Sequence, residues 1–110
     1  MRIELPSGTP AEIARPSSPA RIGLVVSPDI FGLRQLYVDL VDRWSREWGM
    51  AVCAVDQYAG NAPHESATVE ERFGAVAAID DERHLADLHA AADLLATPVI
   101  GLMGFCMGGM

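Results

Sequence analysis

The chain has 110 residues, half of them hydrophobic, with 15 acidic side chains against 8 basic ones and a formal net charge of −7 at pH 7. That length suits one domain, and the acidic balance excludes a basic nucleic-acid face or an electrostatic hold on an anionic membrane. No apolar run approaches the roughly 18 residues of a membrane span, and Met1-Arg2-Ile3-Glu4-Leu5-Pro6 leads into a polar, proline-bearing stretch and not a signal-peptide core, so a cytoplasmic protein is expected. In that reducing compartment Cys53 and Cys106 are read as free thiols.

Arg2 to Leu5 and Ala11 to Ala14 read as short strands either side of the turn residues Pro6-Ser7-Gly8-Thr9-Pro10, forming a small hairpin or edge pair. After Pro16-Ser17-Ser18-Pro19, the continuous run Arg21 to Ser27 fits a strand buried on both faces. From Leu33 the apolar residues fall at 33, 36, 37, 40, 41, 44 and 48, the 3.6-residue period of an amphipathic helix that Gly49 ends. Asp39 with Arg43, and Asp42 with Arg46, are spaced to pair along its outer face, while Trp44 and Trp48 fall on the apolar side and read as core. Met50 to Val55 is a second buried strand, with Cys53 inside it as a core thiol. A long polar stretch follows from Asp56, part of which, Val69 to Ile79, has the look of a further helix. Asp80-Asp81-Glu82 then opens a helix with Leu85, Leu88, Ala92 and Leu95 on one face. Thr97-Pro98 breaks that helix before the apolar run Val99-Ile100-Gly101-Leu102-Met103, read as a third buried strand.

Strands alternating with helices imply an α/β fold with a mostly parallel sheet and flanking helices, in which sites form at the carboxyl ends of the strands. Three segments lie there: Ser27 to Gly32, the stretch from Asp56, and Gly104-Phe105-Cys106-Met107-Gly108-Gly109. The last has the pattern of a nucleophile elbow. A tight strand-to-helix turn needs small residues two before and two after the nucleophile, here Gly104 and Gly108, with Gly109 beyond. The free N–H groups of a following helix favour the thiolate over the thiol, which makes Cys106 the candidate nucleophile; the competing reading is a small buried thiol in a glycine-rich turn. Asp29 is equally readable as a turn or capping carboxylate. His64, His84 and His89 are read as surface residues, and the five-residue spacing of the last two is not that of a helical metal pair.

Val25-Val26-Ser27-Pro28-Asp29-Ile30-Phe31-Gly32-Leu33 together with Gly104-Phe105-Cys106-Met107-Gly108-Gly109 resembles the dienelactone hydrolase family of the α/β-hydrolase fold. The resemblance extends over the whole chain but over only the first half of a family member. Residues 1–110 are therefore expected to be the N-terminal part of a single α/β-hydrolase domain, incomplete after the elbow and inactive alone. It implies an ester or lactone hydrolase that works through a cysteine acyl-enzyme. The backbone N–H groups of Ile30 and Met107 would be the oxyanion donors. Asp29 stands where the family usually has a Glu that contacts the resting thiol, and the family's substrate-binding arginine falls nearest Arg72. The fold's chain order of nucleophile, acid, histidine puts the acid and histidine after Cys106. No cofactor or metal is implied, the partner is a small-molecule ester or lactone, and the oligomeric state is left open. Two other classes fit the Gly-x-Cys-x-Gly turn: a glutamine amidotransferase-like cysteine enzyme, and a noncatalytic binding protein that keeps the fold.

Overall fold

The computed structural model describes residues 1–105. Strands β1 (Arg2–Glu4), β2 (Pro10–Ala14), β3 (Ile22–Ser27), β4 (Ala51–Val55) and β5 (Val99–Gly104) form one sheet, with helices α1 (Gln35–Trp48), α2 (Val69–Ala77) and α3 (Asp81–Leu95) between them in the chain. The sheet order is β1-β2-β4-β3-β5. β3 is parallel to both β4 and β5, whereas the β1–β2 hairpin joins antiparallel along the far side of β4.

All five residues of β4 are buried, and the two-residue side-chain period divides them between the sheet's faces. Ala51, Cys53 and Val55 join Val25, Ile13 and the α3 residues Ala91 and Leu95 on one face. Val52 and Ala54 join Leu24, Val26 and the α1 residues Tyr37 and Val41 on the other. The sheet thus lies between α1 and α3, with a core on each side. β3 divides the same way, which is why its sequence carries no alternation.

Gly49, at φ 67°, ends α1 and donates its N–H to Ser45 O, a left-handed position that suits glycine. Helix α2 opens with a reciprocal capping box between Thr68 and Glu71, and the Asp80 side chain caps α3 by accepting from the Arg83 N–H. The turn of the β-hairpin is tied to α3 through a buried carboxylate. Asp87 accepts from Ser7 Oγ and from Thr9 Oγ1 at 2.6 Å, while Arg83 donates to Ser7 O at 3.2 Å.

Several expectations need correction. Leu102 (66% exposed), Val99 and Ile100 are open to solvent. β5 is therefore not a buried strand but the edge of the described sheet, flanked by β3 alone. Trp48 is exposed; at the end of α1 it has run past the sheet and stacks on Trp44, ring centroids 5.6 Å apart. Leu85 is likewise exposed, and the buried positions of α3 are Asp87, Ala91 and Leu95. Asp42 does pair with Arg46, at 3.0 Å, but Arg43 turns to Glu47 and Asp39 accepts from Gln35. His84 is half-buried and not a surface residue, because its ring lies over the carboxyl end of β3, with Nε2 3.2 Å from Ser27 Oγ.

The two-sided core makes a stability prediction. Leu95→Ala empties a fully buried position and is expected to cost about 2–5 kcal/mol. Leu36, which falls on the apolar period of the sequence, is in fact exposed at the start of α1, and Leu36→Ala should stay within about 0.5 kcal/mol. Urea midpoints at constant m-value read the difference, and equal costs would contradict the layering.

Candidate active site

The parallel register pairs Ser27 with Gly104, and the Phe105 N–H donates to Ser27 O at 3.1 Å. The approach to Cys106 therefore runs beside the start of the loop at residues 28–32. Phe105 is anchored by its ring, which meets Tyr37 edge-on at 5.7 Å and stacks near Trp44 at 6.4 Å. Gly104 closes β5. Cys106, Met107, Gly108 and Gly109 lie outside the described residues.

The 28–32 loop is held by side chains from two other elements. The Asp29 N–H donates to Tyr37 Oη of α1 at 3.0 Å. Gln57 Nε2, just past β4, donates to Asp29 O at 2.6 Å and lies 3.4 Å from Pro28 O. Tyr58 Oη donates to Ile30 O at 2.6 Å, and the Phe31 N–H donates to Asp29 Oδ1 at 3.1 Å. Across the three peptides joining residues 28 to 31, every C=O is engaged and two of the three N–H groups are. The Ile30 N–H alone makes no hydrogen bond to a described residue.

Gln57 and Tyr58 are buried and aimed by the turn that follows β4. Asp56 accepts from the Tyr58 N–H at 2.9 Å and from the Gly60 N–H at 2.8 Å, and its own N–H donates to Pro10 O. This carboxylate-centred turn carries Ala59 and Gly60 at positive φ. Gly32, at φ +80°, ends the site loop where a Cβ would stand 3.2 Å from the Tyr58 ring. Sequence reasoning placed the stretch from Asp56 at the sheet's carboxyl edge but missed Gln57, Tyr58, Tyr37 and Arg34 as site residues. The available signal was a run of polar side chains directly after a wholly apolar strand.

Asp29 forms a two-pronged pair with Arg34, at 2.6 and 3.2 Å. Partial burial raises the Asp29 carboxyl, but the Arg34 hydrogen bond and charge and the Phe31 N–H outweigh it and hold the group below its ordinary value. Arg72, on α2, is buried and donates to the carbonyls of Glu65 (2.9 Å) and His64 (3.4 Å). Its guanidinium lies 4.6 Å from the Phe31 ring centroid, with that of Arg34 at 5.2 Å. The structure thus brings Asp29, Ile30, Arg34, Phe31 and Arg72 into one cluster beside the end of β5. His64 is bonded to Ser66, and His89 is exposed. Burial lowers the His84 pKa against the pull of Asp87, Asp81 and Asp56, which favours the neutral ring. Among the described residues no group of His, Cys, Asp and Glu forms a metal site, and no helix is long and apolar enough to cross a membrane.

A five-stranded, mostly parallel sheet between helices is the architecture of the α/β-hydrolase class. The model of the dienelactone hydrolase family matches residues 9–110, and the chain belongs to that family. A crystal structure from Klebsiella pneumoniae subsp. pneumoniae, classed as a dienelactone hydrolase, is similar at 29% identity and a TM-score of 0.84, over 99% of this chain and 50% of that one. A dienelactone hydrolase-like promiscuous phosphotriesterase from metagenomic libraries is similar at 25% identity and a TM-score of 0.72, over 99% of this chain and 49% of that one. The chain spans about half the length of these structures. No curated protein matches it.

The Asp29–Arg34 pair has a checkable consequence. A carboxyl whose pKa is depressed on folding contributes stability above its ordinary value of 3.8, and that contribution is lost as pH falls through the depressed value. Arg34→Gln should therefore raise the Asp29 titration followed by carbon NMR. The stability gap between the two proteins should narrow as pH drops below about 4. Superimposable Asp29 titrations would show that the pair does not hold the carboxylate.

Proposed function

We propose that this chain supplies the nucleophile half of an ester or lactone hydrolase that works through Cys106. The observation that carries the reading is the Ile30 N–H, the one donor of the 28–31 peptides without a partner among the described residues, beside the strand that leads into the Gly-x-Cys-x-Gly segment. Family membership favours hydrolase chemistry over amidotransfer, since the Asp-Ile-Phe-Gly segment that presents this donor has no place in the amidotransferase pattern.

In the proposed reaction the Cys106 thiolate attacks the substrate carbonyl carbon and the carbonyl π electrons move to oxygen. The N–H groups of Ile30 and Met107 stabilise that oxyanion, where losing one donor typically costs about 10²–10³ in rate. Collapse expels the alkoxide, which a histidine protonates. Water then attacks the thioester, releasing the acid and restoring the thiol. We place the acid and histidine in the half of the relatives' length that this chain does not span. Gly104, Gly108 and Gly109 are the small residues that a tight turn at Cys106 would require. Arg72, beside Phe31 and without a carboxylate partner among the described residues, is the group we assign to a substrate carboxylate. Asp29 is bonded to Arg34 and to the Phe31 N–H, and we assign it to holding the loop, with contact to the resting thiol as the further role the family resemblance implies. The reading needs no cofactor or metal and is consistent with free thiols in the cytoplasm.

The two cysteines separate cleanly in a test. Cys53 is fully buried and its thiol is pushed up to about 12 by desolvation, so it should stay inert in the folded protein. One equivalent of a thiol reagent, or of acyl group from an activated ester, is expected at neutral pH. Cys106→Ala should abolish labelling of this segment, read by peptide mapping, and ester turnover in the complete enzyme. Turnover that survives Cys106→Ala would sink the nucleophile assignment and favour a noncatalytic or differently catalytic role.

A further inference from the structure

We propose that Gln57 is a positioning residue for catalysis, fixing the peptide plane whose N–H is the Ile30 oxyanion donor. This rests on the reading of Ile30 given above. The Asp29 carbonyl and the Ile30 N–H belong to one planar trans peptide and point in opposite directions. Gln57 Nε2 donates to that carbonyl at 2.6 Å. Holding the oxygen on the β4 side directs the N–H to the opposite side of the loop.

The neighbouring peptides are held independently, by Tyr37 Oη on the Asp29 N–H and by Tyr58 Oη on Ile30 O. The middle plane is held only at its carbonyl, by Gln57 Nε2 at 2.6 Å and by the Gly32 N–H at 2.9 Å, since its own N–H is the one without a partner among the described residues. Gln57 can perform this task because it is itself immobile. It is buried, and the residues on either side are locked into the Asp56-centred turn. Catalytic donors gain their value from being oriented before charge develops, so that no reorganisation is needed when the oxyanion forms. An amide that anchors the far end of the donor's own peptide meets this requirement without touching the substrate. Removing it leaves the carbonyl held by the Gly32 N–H of the same loop alone, so the plane loses its tie to β4 and can rotate with the loop, which takes the N–H with it.

The test compares Gln57→Leu and Gln57→Met with the wild type in the complete enzyme, using p-nitrophenyl acetate and iodoacetamide as probes. Ester acylation develops an oxyanion, whereas alkylation is a displacement at saturated carbon that develops none. Both variants abolish donation from residue 57 while keeping roughly its size. Both are expected to lower kcat about 10- to 100-fold, short of outright loss of a donor, with KM within about twofold. Alkylation of Cys106 should stay within about twofold of wild type. An unchanged kcat in both variants, with Cys106→Ala inactive, overturns the role of Gln57 and leaves the hydrolase reading standing. Parallel losses of ester turnover and alkylation also overturn it, showing Gln57 to be merely structural. Full activity in Cys106→Ala overturns the underlying reading itself.

Discussion

The structure depends on how the peptide groups of one loop are satisfied. Where the chain leaves β3, residues 28–31 pass over the end of the sheet with no strand or helix to absorb their backbone polarity, and such groups carry a cost wherever water is excluded. Tyr37, Gln57, Tyr58 and the Asp29 carboxylate supply the missing partners. They leave a single donor, the Ile30 N–H, unengaged by any described residue. That free N–H is what the proposed carbonyl chemistry would need at the strand ends.

Each partner is delivered by a different part of the fold. Tyr37 comes from the buried face of α1, where its ring also packs in the core beneath Phe105. Gln57 and Tyr58 come from the end of β4, aimed by the Asp56 turn. The ion pair to Arg34 keeps Asp29 charged and therefore a strong acceptor for the Phe31 N–H. The two-sided core thus does more than stabilise the sheet. It fixes β3, β4 and α1 relative to one another closely enough for hydrogen bonds of 2.6–3.0 Å to form between side chains and a loop 8 to 28 residues away.

Much of this architecture was legible in the sequence, because it rests on periodicity. The 3.6-residue pattern from Leu33 and the apolar runs at β3 and β4 each correspond to an element whose burial the pattern encodes. β5 carries the same apolar signal yet is exposed, because apolar composition reports what a strand is suited to cover, not which neighbours it has. Trp48 shows the same limit at a helix end, where the apolar face extends past the sheet it was expected to meet. The site was legible only as segments: Asp29, Ile30 and Arg72 were recognisable from resemblance, and the structure groups them. Gln57 and Tyr58 were marked only as part of a polar run directly after an apolar strand, since a side chain that bonds the backbone of a distant loop leaves no period and no fixed spacing in the sequence.

The most direct measurement follows the Ile30 amide proton by NMR in the complete enzyme while a reversible aldehyde forms a hemithioacetal at Cys106. The adduct places an oxygen where the oxyanion would form. The account predicts a downfield shift of the Ile30 N–H as it gains its first strong acceptor, while the Asp29 and Phe31 amides, already bonded to Tyr37 and to the Asp29 carboxylate, hold their positions. An Ile30 resonance that stays in place while the adduct forms would contradict the claim that this loop presents an oxyanion donor.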